Sequence, residues 1–213
     1  MNYIAERRLE EKERRRAEIL DAAEAVAALV GWDAITMDQV ARKARLSRAL
    51  LYVYFKDKTD LLFGLCERAL STLTQRFAEA VSRQKRGLDQ LMAIGRAYIA
   101  FSQEFPVYFE VMARCELLSP EPQADTNEGA AMSQGDACRA LMVEVIHTGI
   151  GDSSIRSDVG DPKIVSTALW GFMHGVLQLA STKANHLLHD GITTRELVEH
   201  ALLMATRSVE TRS

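Results

Sequence analysis

Residues 36–58 read Thr36-Met-Asp-Gln-Val-Ala-Arg-Lys-Ala-Arg-Leu-Ser-Arg-Ala-Leu-Leu-Tyr-Val-Tyr-Phe-Lys-Asp-Lys58, a pattern typical of two short helices around a tight turn. Thr36 can cap the first helix by accepting a backbone N–H bond, and Gln39 can reach back to complete a capping box. After a break at Arg45, Ser47 is suited to cap the second helix. The stretch therefore predicts a helix-turn-helix whose second helix lies in a groove of DNA.

Longer helices are predicted on both sides of this pair. Two helices this short are only marginally stable alone and need a neighbouring helix to pack on. Residues 6–30 carry apolar side chains at helical spacing and are followed by Gly31, a helix stop signal. A second apolar series predicts a long helix over residues 57–83. The sequence thus predicts a three-helix module joined to a connecting helix.

Co-spaced residues from Ile19 to about Leu65 carry a resemblance to a known family. The segments concerned are Ile19-Leu-Asp-Ala-Ala, Gly31, Ala34-Ile-Thr-Met-Asp-Gln-Val-Ala41, Leu46-Ser47, Leu51-Tyr-Val-Tyr-Phe55, Lys58 and Asp60-Leu-Leu62. In this order they resemble the TetR (tetracycline-repressor) family of one-component transcriptional regulators. The resemblance implies an all-α chain with a helix-turn-helix DNA-binding domain over residues 1–56. It implies a helical ligand-binding and dimerisation domain over residues 57–213.

Two positions depart from the usual pattern of that family. The turn has Arg45 where the family usually has Gly, and Ala49 stands where Gly is frequent. A left-handed conformation at Arg45 would cost on the order of 1–2 kcal/mol. We expect compensation from an additional cation close to a DNA phosphate.

The residues predicted to contact DNA divide into phosphate anchors and base readers. Hydroxyl, ammonium and backbone N–H groups at helix ends suit phosphate, whereas side chains in the middle of the second helix suit base edges. The predicted anchors are Thr36, Ser47, Tyr54 and Lys58, with Arg45 as the additional cation. The predicted readers are Arg48, Ala49, Leu50 and Tyr52, of which Tyr52 suits either role.

The positive charge that DNA requires is local in this chain. A net charge of −3 does not by itself indicate a nucleic-acid-binding protein. Residues 42–58, however, hold a dense group of Lys and Arg with Asp57 as their one acidic neighbour. Phosphate neutralisation depends on such a patch rather than on the total charge.

The N-terminal segment, residues 7–16, mixes Glu and Arg and has two interpretations. It suits a solvated helical extension held by side-chain ion pairs. Alternatively, Arg14, Arg15 and Arg16 contact the DNA backbone or minor groove as an arm. The two interpretations are compatible.

The remainder of the chain predicts helices almost throughout. Breaks are expected at Gly87, Pro106, a loop over 119–136, the segment 149–160, and Gly191. No alternating pattern predicts a strand. The expected helical spans are 57–83, 87–103, 105–118, 128–149, 161–188 and 193–210.

The helix predicted over residues 161–188 is apolar nearly all round in its middle. Its longest apolar run, 168–180, falls short of the roughly 20 residues that span a bilayer, so we expect a buried helix and no membrane association. Such a helix needs cover on more than one side, which predicts a homodimer through this helix and the one at 193–210. Gly171 and Gly175 allow close approach, and the family resemblance implies the same dimerising helix. The alternative is a purely internal core helix.

Aromatic and methionine side chains cluster in the C-terminal part, where they form either a plain core or the lining of an effector pocket. The family resemblance implies a pocket enclosed by these helices. The apolar candidates are Tyr98, Phe101, Phe105, Tyr108, Phe109, Met112, Met142, Trp170 and Met173. The polar candidates are Arg96, His147, His174 and Gln178.

Catalytic and metal-binding patterns are weak. Glu144-Val-Ile-His147 has the spacing of a carboxylate-bridged metal site, but such a site needs a second copy that the sequence lacks. His186 and His189 suit the C-terminal end of a helix as well as a metal. Walker, dinucleotide and Gly-x-Ser-x-Gly motifs are absent from the sequence. We expect no enzyme activity and no cofactor.

Cellular location and partners follow from the same features. Three widely spaced cysteines suggest reduced thiols, and the Glu- and Arg-rich N-terminus does not resemble a signal peptide, which favours the cytoplasm. The expected function is that of a dimeric regulator, most simply a repressor, that binds a near-palindromic operator and answers to a small apolar effector. Two alternatives are a helical ligand-binding or metal enzyme and an adaptor that has lost DNA binding.

Overall fold

The computed structural model describes residues 3–115, 118 and 121–211, and these residues form ten α-helices. An isolated bridge between Ile155 and Glu210 is their only extended pairing. The predicted all-α fold is confirmed. The helices are α1 (Tyr3–Val30), α2 (Met37–Lys43), α3 (Arg48–Tyr54), α4 (Lys58–Ser82), α5 (Gly87–Glu104), α6 (Pro106–Arg114), α7 (Asn127–Gly151), α8 (Pro162–Thr182), α9 (Ala184–His189) and α10 (Thr194–Val209).

The helix predicted over 161–188 is wrong in one respect, because the structure divides it into α8 and α9. The hydroxyls of Ser181 and Thr182 both donate to the carbonyl of Gln178, at 3.0 and 2.7 Å. Hydroxyls that bond back to the helix backbone compete with regular helical bonds. The helical pattern ends at Lys183, whose φ of −123° is not helical.

Two further boundaries differ from the predicted ones. The helix expected over 105–118 ends at Arg114. Residues 116 and 117 of that segment, and residues 119 and 120 of the loop that follows it, lie outside the described residues. The next helix, Asn127–Gly151, begins one residue before and ends two residues after the predicted span 128–149, and its start lies within the loop expected over 119–136. The Thr126 hydroxyl accepts from the backbone N–H of Gly129 at 3.0 Å, which makes Thr126 an N-cap that the sequence reasoning did not use.

Packing divides the chain into two compact units, Met1–Leu70 with Phe105–Ser133 and Ser71–Glu104 with Gln134–Ser213. Helices α4 and α7 each contribute to both units. The predicted domain boundary after residue 56 concerns function and stays a prediction.

The first unit packs the helix-turn-helix on an apolar core. Leu51 of α3 and Phe55 directly after it are completely buried. A side chain at Gly64 of α4 would meet the Phe55 ring at 2.7 Å, so glycine permits the close approach of α4 to this ring. Burying side chains of this size contributes about 1.5–3 kcal/mol each. This core fixes the orientation of α3.

The second unit contains α8, whose exposure differs from the expectation. Only Ser166, Met173 and Leu177 of α8 are buried. The prediction of a buried helix at 168–180, like the alternative of a purely internal core helix, is therefore wrong within one copy of the chain. The expected lack of a long enough apolar stretch is also wrong, since α8 is long and apolar enough, by length and composition alone, to cross a membrane. A single helix of this kind is weak evidence for a membrane.

Candidate DNA-binding surface and effector cavity

A complete capping box starts α2. The hydroxyl of Thr36 accepts from the backbone N–H of Gln39 at 3.3 Å. The side-chain oxygen of Gln39 in turn accepts from the backbone N–H of Thr36 at 2.7 Å and from its hydroxyl at 2.9 Å. The predicted cap is confirmed. Because this hydroxyl both accepts and donates within the cap, it has little capacity left for a DNA phosphate.

The turn and the start of α3 also agree with the prediction. Arg45 has a φ of 57°, the left-handed conformation expected where related sequences use glycine. The hydroxyl of Ser47 accepts from the backbone N–H of Leu50 at 3.2 Å and caps α3. Since Ser47 uses its oxygen as an acceptor, its proton remains suited to a phosphate oxygen.

The outward face of α3 contains the predicted base readers and one residue that was missed. Arg48, Ala49, Leu50 and Tyr52 are all exposed, and Val53 is 77% exposed. Val53 lies four residues after Ala49, so the two share a helix face, a signal that the sequence reasoning passed over. Tyr54 is half-buried.

Arg48 is held in a defined orientation by two neighbours. Its Nε lies 3.0 Å from Oδ1 of Asp38, and its guanidinium carbon lies 5.7 Å from the centre of the Tyr52 ring. A hydrogen bond with Tyr52 and the charge of Asp38 raise the pKa of Arg48. The sequence reasoning did not select Asp38. Its carboxylate pairs with Nε of Arg48, whereas an arginine recognises guanine through two parallel N–H donors.

Lys58, a predicted phosphate anchor, is engaged within the protein. Its Nζ donates to the carbonyl of Asp33 at 3.0 Å and lies 5.5 Å from the centre of a Trp32 ring. These contacts fasten the start of α4 to the segment before α2. A phosphate contact by Lys58 would compete with them. Lys56, also in the cationic segment, is exposed.

The N-terminal arginines differ in their engagement. Arg16 lies 2.6 Å from Glu67 and within 5.7 Å of the Phe55 ring centre, so it belongs to the packing of α1 on α4. Arg15 pairs with Glu18 at 2.7 Å. Arg14 is 66% exposed and makes only long contacts to its acidic neighbours. The interpretation as a helical extension held by ion pairs fits Arg15 and Arg16. Of the three arginines, Arg14 is the one still suited to contact DNA as part of an arm.

The second unit contains a small apolar cavity of about 40 Å³. Four predicted ligand residues, Tyr98, Met142, Trp170 and Met173, lie around it. A drug-sized ligand needs roughly 300–1,000 Å³, so a larger effector would require these side chains to move. The other lining residues are Phe77, Leu91, Ile94, Gly95, Leu169, Leu202, Ala205 and Thr206.

A polar cluster lies at the edge of this cavity. The hydroxyl of Tyr98 lies 2.6 Å from Nδ1 of His174, and the Trp170 ring centre lies 5.9 Å from that of His174. A neutral imidazole with its proton on Nε2 accepts at Nδ1, so in that tautomer the Tyr98 hydroxyl donates to His174. Burial raises the pKa of Tyr98 and lowers the pKa of His174, which favours this neutral pair.

The remaining predicted ligand residues lie elsewhere. Phe101 is buried beside a different groove, Arg96 and His147 each line a separate open groove, and Gln178 is exposed. Phe105, Tyr108, Phe109 and Met112 belong to the first unit. The sequence cluster is thus two spatial clusters, because the chain enters a new helix at Pro106.

Tyr108 illustrates the role of the aromatic residues in the first unit. Burial and a hydrogen bond to Glu24 of α1 raise the pKa of Tyr108 to about 12, opposed by the charge of Arg68. Arg68 of α4 also donates to the Ala17 carbonyl at 3.0 Å. These contacts join α6, α1 and α4 into one body beneath the helix-turn-helix.

Within the described residues, neither of the two patterns with metal-ligand spacing lies in a larger group of His, Cys, Asp or Glu side chains that could complete a metal site. Glu144 and His147 line one open groove, and His186 and His189 lie in the last turn of α9. Among the residues that the structure describes, no group of three or more His, Cys, Asp or Glu side chains could hold a metal ion.

A capped helix-turn-helix with an exposed α3 flanked by exposed cations, carried on a helical protein, defines the class of helix-turn-helix transcriptional regulators. Residues 19–65 match the family described as bacterial regulatory proteins, tetR family, and residues 91–204 match the tetracyclin repressor-like C-terminal domain. The chain therefore belongs to the TetR family, as the sequence resemblance predicts.

Similar proteins agree with this assignment. The chain is 33% identical over 88 residues to the HTH-type transcriptional regulator HbdR of Aromatoleum sp. (strain CIB). The aligned region covers 41% of this chain and 38% of HbdR. The match thus spans less than half of that relative. A TetR-family regulatory protein from Rhodococcus RHA1 has a TM-score of 0.70 at 18% identity, covering 93% of this chain and 98% of that one. Thermus thermophilus FadR, a TetR-family transcriptional repressor in complex with lauroyl-CoA, has a TM-score of 0.61 at 17% identity, covering 93% and 96%.

Proposed function

We propose that this TetR-family regulator is a cytoplasmic repressor. In this proposal it binds a near-palindromic operator as a two-fold dimer and releases it when a small apolar effector binds. The observation that carries the proposal is the outward face of α3, where Arg48, Leu50, Tyr52 and Val53 are exposed beside exposed cations. A helix with this surface suits the major groove, where arginine recognises guanine and apolar side chains contact the thymine methyl group.

The proposed DNA contacts separate by chemistry. Arg48 has its Nε paired with Asp38, so we assign it to a guanine edge. Leu50 and Val53 offer apolar contact to thymine, and Ser47 offers a hydroxyl to phosphate. Arg45 and Lys56, both exposed, supply phosphate neutralisation that does not depend on sequence.

Dimerisation through α8 and α10 is the second part of the proposal. α8 exposes Ile164, Phe172 and Leu179 on one side, and α10 exposes Met204. A Cβ atom added at Gly171 or Gly175 would meet no other packed element within 4 Å, so both glycines lie on the uncovered side of α8. An exposed apolar face of this kind needs a partner. A second copy is the partner that places two recognition helices on a palindrome.

The effector site is assigned to the apolar cavity between α4, α5, α7, α8 and α10. Its lining is almost wholly apolar, with Tyr98 and Thr206 as the polar groups among the lining residues. The lauroyl-CoA bound by Thermus FadR supports a fatty acyl chain as the first class of effector to test. Phe77 of the lining and Lys58 beside the helix-turn-helix belong to the same helix, α4, which we propose as the coupling element.

Coupling requires that the effector bind the DNA-incompetent arrangement more tightly than the competent one. A coupling free energy of about 1–3 kcal/mol would change DNA affinity roughly 5- to 150-fold. Reciprocity then requires operator DNA to weaken the effector by the same factor. Lauroyl-CoA titrated with and without operator DNA measures both quantities. Equal affinities in the two titrations would contradict a role for this ligand as effector.

The decisive experiment is a gel shift with the DNA upstream of the protein's own gene. We expect a specific complex with two protomers per operator, which survives an excess of unrelated DNA at moderate salt. Binding that is equally strong to unrelated DNA, or none at all, would favour the adaptor or enzyme alternatives. Ala205→Leu, which fills the cavity, should preserve this complex and lose its response to the acyl ligand.

A further inference from the structure

Two of the three cysteines share a cluster that neither DNA recognition nor the effector cavity uses. Cys66 of α4 is buried with Phe63 and Ala131, and Cys115, directly after α6, packs against them. All three cysteines are free thiols. The side chains of Cys66 and Cys115 belong to this one cluster, although the residues are far apart in the chain.

The two thiols are not equivalent. Interaction with the Cys66 thiol lowers the pKa of Cys115, whereas the same interaction and burial raise the pKa of Cys66. Cys115 is half-buried and Cys66 is 3% exposed. The less buried partner therefore has the greater thiolate character and the better access, and the buried partner lies in the same cluster. This is the arrangement of a reactive and a resolving cysteine.

Cys138 provides an internal comparison. It lies in the second unit, it is buried, and burial raises its pKa. It therefore combines low access with low thiolate character. The same oxidant should discriminate between Cys115 and Cys138.

We propose that Cys66 and Cys115 form a redox-sensitive modification site, which hydroperoxides convert into an intramolecular disulfide. The Cys115 thiolate attacks one peroxide oxygen, an S–O bond forms, the O–O bond breaks, and hydroxide or alkoxide leaves. The Cys66 thiol then attacks the sulfur of this sulfenic acid. The S–S bond forms, the S–O bond breaks, and water leaves with the Cys66 proton. Two electrons pass from the sulfurs to the peroxide, and a dithiol reductant reverses the change.

The position of Cys115 connects this site to the helix-turn-helix. Arg114, its neighbour, makes a two-pronged contact with the Asp33 carboxylate at 2.7 and 3.1 Å. The carbonyl of Asp33 accepts from Lys58. A disulfide holds its sulfurs at about 2.05 Å, closer than any non-bonded contact, so oxidation should shift Arg114 and loosen its contact with the segment before α2. This consequence for DNA binding rests on the proposed function, whereas disulfide formation does not.

The chemical test treats the reduced full-length protein with hydrogen peroxide, blocks the remaining thiols with a maleimide, and maps disulfides by peptide mass spectrometry. We expect a bond between Cys66 and Cys115 in wild type and in Cys138→Ser, with Cys138 labelled throughout. Cys66→Ser, whose hydroxyl can still interact with Cys115, should accumulate a sulfenic acid at Cys115. Cys66→Ala, which guards against a folding defect caused by a buried hydroxyl, should accumulate it more slowly because it lacks a donor. A disulfide to Cys138, a disulfide between chains, or equal oxidation of all three thiols would overturn the proposal.

The regulatory test compares DNA affinity of the reduced and oxidised protein by fluorescence anisotropy. We expect at least about fivefold weaker operator binding after oxidation, full recovery with dithiothreitol, and no change in Cys115→Ser. A mapped disulfide with unchanged affinity would overturn the link to DNA binding. A reduced protein that binds no operator would instead contradict the proposed function, and the mass map would still decide the chemistry.

Discussion

Helices α3 and α8 both leave much of their surface uncovered, but their exposed faces differ in chemistry. α3 is seven residues long, is fixed by buried Leu51, and exposes Arg48 and Tyr52. α8 is 21 residues long and exposes Ile164, Phe172 and Leu179 on the side that carries Gly171 and Gly175. The α3 face suits DNA, which has a negatively charged backbone and polar base edges in its grooves, and the α8 face suits another apolar surface. Exposure alone would mark both as interfaces, and the composition of the face indicates the kind of partner.

The largest expected effect comes from Gly175→Leu on the α8 face. A Cβ atom added at this position meets no other packed element of the same copy within 4 Å, so the monomer should fold normally. In the proposed dimer the leucine would hold the two helices apart. We expect a monomer by sedimentation and loss of specific operator binding, with an unchanged helical circular dichroism spectrum.

Gly175→Ala is the matched control for this substitution. It adds one methyl group and about 1 kcal/mol of helix propensity, and we expect it to preserve the dimer. A Gly175→Leu protein that still dimerises and binds its operator would show that α8 faces something else. A wild-type protein that is monomeric at micromolar concentration would also contradict dimerisation through α8. If that monomer bound lipid vesicles, the result would indicate that α8 contacts a membrane.

The next effect in size tests the α3 face. Arg48→Ala should weaken the best operator roughly 5- to 150-fold and relax the preference at one position in each half-site, as expected for loss of a guanine contact. Lys56→Ala removes an exposed cation from the same segment and should weaken all sequences alike. Binding selections from a randomised DNA pool measure both. An equal loss of preference in the two variants would contradict the division into readers and anchors.

Asp38 provides a finer version of this test. Asp38→Asn keeps the size of the side chain but removes the charge that pairs with Arg48 at 3.0 Å. If Asp38 orients Arg48, the variant should lose preference at the position that Arg48→Ala affects, by a smaller factor. If Asp38 merely neutralises it, the variant should bind all DNA more tightly, because one repulsive charge is gone.

Much of the helix-turn-helix could be predicted because its signals are local. The caps at Thr36 and Ser47 and the strained turn at Arg45 depend on neighbours within a few residues, and all three are confirmed. The effector cluster could not be resolved in this way. Tyr98 and Tyr108 are close in sequence, but they belong to different compact units.

The exposure of α8 shows a second limit of sequence reasoning. Its apolar composition predicted that something covers it, but composition does not reveal whether the cover comes from the same chain. The small size of the cavity depends on side-chain packing, which has no signature in the sequence. Asp38 was missed because its role depends on the angle between α2 and α3.

A smaller effect is expected at the turn. Arg45→Gly removes both the charge and the strain of a left-handed residue, whereas Arg45→Ala removes only the charge. Arg45→Gly should therefore be more stable to unfolding than Arg45→Ala by about 1 kcal/mol, reduced somewhat by the greater freedom of glycine in the unfolded chain. Denaturant titration measures this difference. Both variants should lose DNA affinity equally if the cation contacts phosphate, and a loss confined to one of them would indicate that the shape of the turn matters instead.

The smallest expected effect concerns His174, which contacts the cavity-lining residues Tyr98 and Trp170. Burial lowers the pKa of His174 in the folded protein, below the value of about 6.5 expected when unfolded. Between these two values the unfolded chain binds more protons, so the free energy of unfolding falls as the pH falls. The contribution of His174 is complete above about pH 6.5 and is lost progressively below it. His174→Gln can still accept from Tyr98 but cannot be protonated in this range, so its melting temperature should fall less on acidification than that of wild type. His147→Gln, at an exposed histidine, is the control. Identical pH dependence in wild type and His174→Gln would show that this histidine is not held neutral in the folded protein.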